Sequence, residues 1–337
     1  MLNSQVKDIE NASLVFLAIV LILFAGLRGI DVSQDGMNYT IMFDKYEQYS
    51  DWFFYTNEIM AVAIPVTLKY LGLYSYASVF LLFAFLGVTF KFIAIRKYSL
   101  IPLLSVIFYF VSNFLLHEMT QIRAGIATGI LLLSVVDIYD KKLLNFLLKV
   151  GCAWLFHISS LIFIPFYFIN PKKIHVKVYL LGLMFVIPLG AARAFNIFAI
   201  FPSIVNFNQK LQIYEIVQSK FQSVNLINVV MLLNLLILML LFMNIAKVIE
   251  KSKYAIIFIK MYFVSILCTF LFSSVPILSW RIGEIFSVSN FIVISYLPYT
   301  TKSKTLMVIS IVLISLVMLS FYLFHDELIY SYHTLFN

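Results

Sequence analysis

Long apolar runs separated by short polar stretches dominate this chain. Nine of them, 12–27, 76–95, 99–116, 124–139, 178–200, 227–246, 254–275, 285–299 and 305–324, read as membrane-crossing helices. A helix needs about 20 apolar residues to cross about 30 Å of hydrocarbon. Two further stretches are ambiguous. The stretch 59–73 is broken by Pro65 and Lys69, and 143–169 is too long for one helix and short for two. Basic residues orient the set, because short cytoplasmic loops carry an excess of Lys and Arg. The groups Lys7, Lys91/Arg96/Lys97, Lys141/Lys142, Lys172/Lys173/Lys177, Lys247/Lys251/Lys253 and Lys302/Lys304 all fall inside on one condition. Segment 59–73 must not cross, and 143–169 must cross twice. The first is therefore predicted to be re-entrant or interfacial on the outer face. The second is predicted to be a hairpin of two short helices turning near His157, with Lys149 awkwardly placed in its first arm. The pattern predicts an all-α polytopic membrane protein of about eleven spans, with 1–337 as one membrane-embedded domain. Its N-terminus is cytoplasmic and its C-terminus outside.

Composition agrees and excludes other classes. Hydrophobic residues make up 62% and charged residues 12%, where a soluble domain carries roughly 25% charged residues. Mean hydropathy is +0.98. Such a chain cannot cover a water-facing surface, so soluble enzyme, DNA-binding and secreted readings fall away. The net charge of +8 is scattered between apolar runs, and no nucleic-acid partner is expected; the lipid bilayer is. Cys152 and Cys268 lie in apolar runs, so neither a structural disulfide nor a metal site is expected. No P-loop, glycine-rich nucleotide loop, metal-ligand spacing or G-x-S-x-G elbow is present, and no cofactor is expected. The first apolar run lacks an A-x-A cleavage pattern and is expected to be retained.

The arginines depart from the orientation that the lysines obey. Of the five Arg, four (Arg28, Arg123, Arg193 and Arg281) fall outside, at or near the outer ends of spans, whereas of the 19 Lys only Lys45, Lys69, Lys210 and Lys220 fall outside. Arg grips phosphate with two prongs and tolerates partial burial. For any one of them, snorkelling to headgroups or pairing with a local acid such as Glu118 or Glu284 is the competing reading. Taken together they point to a positive pocket on the outer leaflet for an anionic substrate such as a lipid diphosphate. The outer segments 28–58, 117–123, 201–226 and 276–284 are too small to be domains, and loops 28–58 and 201–226 are expected to contribute to a cavity on that face.

Acids and one histidine accompany the arginines. Most acids of the first loop are solvated charges, but Asp35 and Glu58 flank the points where the chain re-enters the membrane. His157 lies within an apolar stretch, where a hydrogen-bonded core residue competes with a catalytic one. The aromatic run Tyr46, Tyr49, Trp52, Phe53, Phe54 and Tyr55 suits either a sugar surface or an interfacial belt.

Several motifs, in order, resemble the EpsG-like membrane proteins, which include Wzy-type polymerases of O-antigen and capsule pathways. Leu27-Arg28 followed by Asp35-Gly36-Met37-Asn38-Tyr39 is similar to that family's R…D-x-x-x-Y signature. Glu58 falls where the family carries a Glu opening its next segment. Gln121-Ile122-Arg123-Ala124-Gly125-Ile126-Ala127 resembles M-R-Q-x-[IL]-A, with the Gln displaced to the N-terminal side of the Arg. Phe156-His157-Ile158-Ser159-Ser160-Leu161 resembles F-H-x-S-A-L. Arg281-Ile282-Gly283-Glu284-Ile285-Phe286 resembles R-x-x-x-[YF]-F, with Ile285 departing.

The resemblance implies a membrane glycosyltransferase in the bacterial cytoplasmic membrane, working on its periplasmic face. It would join undecaprenyl-diphosphate-linked glycans, beside a flippase and a chain-length regulator of the same pathway. A hydroxyl of the acceptor sugar attacks the anomeric carbon of the donor, and lipid diphosphate leaves. Arg28, Asp35, Glu58, Arg123, His157 and Arg281 are the implied catalytic set, with Tyr39, Gln121, Arg193, Trp280 and Glu284 binding substrate. Arginines would stabilise the leaving charge, and Asp35, Glu58 and His157 are candidate bases. Two rivals remain. A polysaccharide O-acetyltransferase needs a His on an early span, and none precedes His117. A lipid-linked oligosaccharide flippase or other transporter predicts charges through the mid-plane and repeat symmetry.

Overall fold

The computed structural model describes residues 2–47, 58–200, 224–324 and 329–335. Most of the aromatic run at 46–55 and nearly all of loop 201–226 lie outside the described residues. Among the described residues the chain is all-helical, without a named strand. Five helices are long and apolar enough to cross a membrane: Lys7–Gly26, Tyr76–Tyr98, Pro102–Thr120, Ile122–Asp140 and Lys304–Phe324. Counting each of two bent pairs as one span brings the number among the described residues to seven. The other expected spans appear as apolar helices of 10–17 residues.

The chain divides into two compact units, 1–169 with 294–337, and 170–293. The first is built on α1 (Leu2–Gly26), α4 (Tyr76–Tyr98), α6 (Ile122–Leu133) and α8 (Leu143–Phe156), each packed on the next. Glycines set the close approaches. A Cβ at Gly26 would lie 2.6 Å from the Leu81 backbone, and one at Gly129 2.9 Å from Phe90 Cβ. Small residues at helix contacts are how helices pack in lipid, where burying apolar surface supplies no drive.

Several local signals explain where elements begin. Ser75 caps α4 by accepting from the Ser78 amide at 3.0 Å, with the reciprocal bond from the Ser75 amide to the Ser78 hydroxyl. Pro102 opens α5 (Pro102–Tyr109), where its missing N–H costs nothing. α5 then continues as a π-helix, Phe110–Thr120, which ends with the Gln121 amide bonded to the Leu116 carbonyl at 2.6 Å. Only Gln121 separates it from α6, so the expected outer loop 117–123 is helical instead. α2 (Gly36–Glu47) likewise fills part of loop 28–58. α3 (Ile59–Tyr70) has 12 residues; at 1.5 Å each it is about 18 Å long and cannot cross the hydrocarbon alone.

Segment 143–169 is a hairpin of two short helices. α8 ends at Phe156, His157 is extended, and a 3-10 helix runs over Ile158–Phe168. The return is fixed by Phe146, whose ring lies 5.0 Å from that of Tyr167. Lys141 closes it by donating to the Ile169 carbonyl at 2.8 Å. Lys141 itself caps α7 (Val135–Asp140) with φ of 57°. Lys149, awkward in sequence, pairs with Asp137 of α7.

The second unit packs α9 (Val176–Ala191), α11 (Val229–Met243) and α14 (Pro276–Ser287) on α13 (Ala255–Leu271). α10 (Ile197–Ile200) and α12 (Ile245–Lys251) are short. Hydroxyl and glycine contacts bind this unit: Ser273 donates to Gly190 O at 2.8 Å and Ser265 to Gly283 O at 2.9 Å. The expected outer segment 276–284 is the body of α14 rather than a loop; Pro276 opens the helix, where its missing N–H costs nothing.

Candidate active site

Glu58 is the centre of the first unit's polar cluster. It occupies the N-cap position of α3 and is 3% exposed. One carboxylate oxygen, Oε2, accepts from Arg123 Nη1. The other, Oε1, lies 2.9 Å from His157 Nδ1 and accepts from the Ile158 amide at 3.4 Å. A buried carboxylate is stable only when paired and hydrogen-bonded. Three segments far apart in sequence therefore meet on one side chain: the start of α3, the start of α6 and the turn of the 143–168 hairpin.

The sequence places each partner. His157 is at the only non-helical residue of the hairpin, and its side chain is buried. Arg123 follows the break at Gln121, so its guanidinium projects from the first turn of α6; its side chain is 29% exposed. Its Nε has no hydrogen-bond partner. The guanidinium carbon stands 5.4 Å from the centroid of the buried Tyr39 ring. Tyr39 lies one turn into α2, its amide bonded to the Asp35 carbonyl at 3.0 Å. The half-buried Asp35 carboxylate accepts from Asn38 Nδ2 at 3.4 Å and acts electrostatically on both Tyr39 and Arg123. Gln121 points a buried, unpartnered Oε1 from the junction before Arg123.

Arg28 follows α1 and is 0% exposed. Its Nη1 donates to Ala25 O, and the guanidinium carbon lies 4.4 Å over the Phe80 ring. Burial pulls its pKa down to about 10, partly offset by Tyr39, Tyr332 and Glu118, and it stays cationic at neutral pH. Tyr39 feels both Arg28 and Arg123. Arg28, Asp35, Tyr39, Glu58, Arg123 and His157 thus belong to one neighbourhood.

The remaining sequence candidates belong to the second unit. Trp280 is exposed, and Arg281 and Glu284 are half-buried on α14. Arg193 is exposed and sits just past α9 with φ of 50°. It closes a Schellman motif, with its amide bonded to Gly190 O at 2.9 Å and the Ala194 amide to Leu189 O at 3.0 Å.

A second charged cluster is not apparent from the sequence. Lys91, expected among the cytoplasmic residues, is instead fully buried in α4. It lies roughly 22 Å along the helix from Tyr76 at 1.5 Å per residue. It donates to Glu118 and, at 2.7 Å, to Gly125 O, and Tyr109 donates to the same Glu118 oxygen at 3.0 Å. Gly87 and Gly125 make the room: a Cβ there would lie 2.0 Å and 3.1 Å from Glu118 Oε2. A lysine flanked by apolar residues, one turn after Gly87 on its own helix, is the available signal.

The helical scaffold and its buried, charge-paired cluster define a polytopic membrane protein with a polar centre. The chain belongs to the EpsG family, whose match covers residues 11–334. It is also similar to the amylovoran biosynthesis protein AmsC of Erwinia amylovora, at 25% identity over 185 residues, 51% of this chain. The match spans 48% of that relative's length. No solved structure matches.

Proposed function

We propose that this protein polymerises lipid-diphosphate-linked oligosaccharide repeats into a surface polysaccharide at the outer face of the bacterial cytoplasmic membrane. The observation that carries this reading is Glu58 joining Arg123 and His157 beside Tyr39 and Asp35. Family membership and the biosynthetic name of the AmsC relative agree with it.

The roles follow from hydrogen-bond chemistry. Both Glu58 oxygens are engaged, so Glu58 orients its partners and is not the proton acceptor. With Nδ1–H donating to Glu58, neutral His157 carries its lone pair on Nε2. His157 Nε2 then takes the proton of the acceptor hydroxyl as that oxygen bonds to the donor's anomeric carbon. The bond from that carbon to the diphosphate oxygen breaks, and its electron pair leaves with the lipid diphosphate. Arg123, fixed by Glu58 and Tyr39, supports the growing negative charge through its remaining N–H groups. The activated bond is already in the donor, so the step needs no nucleotide.

The test is a deletion strain complemented with wild type or His157→Gln. Single-repeat product without long chains in the deletion and in His157→Gln strains is the expected result. Loss of the single-repeat product as well would assign a flippase. Long chains in the deletion strain would end the reading.

A further inference from the structure

Arg28 is a buried cation with no ion-pair partner among the described residues, Glu118 acting on it only at longer range. Its Nε and Nη2, the two donors on one edge of the guanidinium plane, have no partner, while Nη1 is used by Ala25 O. Unmet charged donors are the costliest way to bury a side chain. That edge is also the fork that takes two phosphate oxygens.

The chain after α16 (Lys304–Phe324) pairs with the backbone on which Arg28 sits. Residues 329–335 run antiparallel to 27–33 in one register, with bridges Ser33–Ile329 and Arg28–Thr334. The Gly29 amide donates to His333 O at 2.8 Å, Tyr330 to Val32 O at 2.8 Å and Leu335 to Leu27 O at 3.0 Å. Tyr332 stacks on Phe24 at 4.4 Å and donates its hydroxyl to Phe24 O at 3.0 Å. His333 Nε2 lies 2.9 Å from Asp31 Oδ1. Gly29 lets the strand lie this close, since a Cβ there would sit 2.1 Å from His333 Nε2.

Residues 329–335 are the least buried of the segments beside Arg28. No side chain of 329–335 is buried, and Tyr330, Ser331 and Tyr332 are exposed. Segments with few buried contacts open at the least cost. Two residues before Arg28 the packing is tight, with Gly26 against the Leu81 backbone.

We propose that Arg28 is a covered binding site for the phosphate group of an anionic ligand, and that residues 329–335 are the cover that lifts to admit it. Taking that ligand as a lipid diphosphate rests on the polymerisation reading; free diphosphate shares its chemistry.

The test locks the cover. Antiparallel bridge partners have Cα atoms about 4.5–5.5 Å apart, within the 4.4–6.8 Å range of a disulfide. Ser33→Cys/Ile329→Cys is made in the full-length chain with Cys152→Ser and Cys268→Ala. Arg123→Gln and Glu58→Gln are added together, so that Arg123 does not report and no buried carboxylate is left unpaired. Radiolabelled farnesyl diphosphate in detergent is the probe. The reduced protein is expected to bind it, oxidation to weaken binding at least tenfold, and reductant to restore it. Arg28→Gln is expected to abolish binding in both states, and Arg28→Lys to retain part of it. Displacement by inorganic diphosphate would identify the headgroup as sufficient, and failure to displace would identify the lipid form; both uphold the site. Complete disulfide formation with unchanged affinity would overturn the cover. Absence of binding in the reduced protein with Arg28 intact would overturn the site. Because binding is read without turnover, a chain that binds diphosphate yet makes no polymer would fail the polymerisation reading alone.

Discussion

Arg123→Lys separates the fork from the charge. Arg123 gives Nη1 to Glu58 and leaves Nε unpartnered beside the Tyr39 ring. A lysine ammonium at this position reaches Glu58 and keeps the ion pair, but has no second edge for a phosphate. The loss to stability is the contact with Tyr39, about 0.5–1 kcal/mol. The loss to catalysis is one pre-organised donor at a developing charge, about 2.7–4 kcal/mol. That is on the order of 100- to 1,000-fold in rate. The assay resolves polysaccharide by chain length in a deletion strain carrying the variant at matched membrane levels. Single-repeat product without long chains is expected. Lys97→Arg, on an exposed position at the far end of α4, is the control and is expected to be silent. Wild-type chain lengths from Arg123→Lys would refute the assignment. Equal loss of protein and product would reduce Arg123 to a folding role.

Glu58→Gln keeps an acceptor for His157 but removes the charge that orients it, and is expected to lower turnover on the order of 10²–10⁴-fold, the worth of a positioned base; full turnover with purified lipid-linked repeats would refute this. Lys91→Met or Glu118→Gln alone leaves a buried charge unpaired, and each is expected to destabilise by about 3–5 kcal/mol, while the double variant recovers most of it in a detergent thermal melt. Additive losses would show that the pair is not coupled. Gly125→Ala places a Cβ 2.5 Å from His117 O and is expected to cost about 1–3 kcal/mol, with activity falling further because α6 carries Arg123. Arg193→Gly removes the strain of φ 50° and is expected to raise stability by about 1 kcal/mol; loss of polymer from that more stable protein would place Arg193 in function.

The helices are legible because a span must be continuously apolar, and runs such as 76–95 and 305–324 fall inside single helices. The hairpin at 143–169 is legible from charge, since a chain that turns back near His157 returns Lys172 to the side of Lys141. Span ends are less so. A π-helix has no composition of its own, and residues 117–120 read as a polar loop although their backbone is bonded within the membrane-crossing element. Residue types and order nominate Arg28, Asp35, Tyr39, Glu58, Arg123 and His157, but not their pairing. Sequence offers Glu118 as an arginine's partner; in the fold Glu118 takes Lys91, and Arg123 takes Glu58 from 65 residues away. Pairings of that range depend on tertiary packing. The contact of 329–335 with 27–33 is invisible for the same reason, as backbone bridges carry no side-chain signature.

Charge balance ties the two clusters together. In the first unit's interior, Lys91, Arg123 and Lys149 are met by Glu118, Glu58 and Asp137, and Arg28 has no acid bonded to it among the described residues. Glu118 serves Lys91 and Glu58 serves Arg123, and each carboxylate is bound tightly enough to fix its helix. Arg28 is left over. A protein that needed only stability would replace such groups with apolar side chains, since buried ion pairs seldom outperform hydrophobic packing. An excess cation fixed in a low-dielectric interior is instead suited to an anion that arrives, or to charge that grows during a reaction, because the donors need not reorganise. Lys91 and Glu118 serve that end indirectly. By tying α4 to Gly125 O in the first turn of α6, they hold the helix start from which Arg123 reaches Glu58.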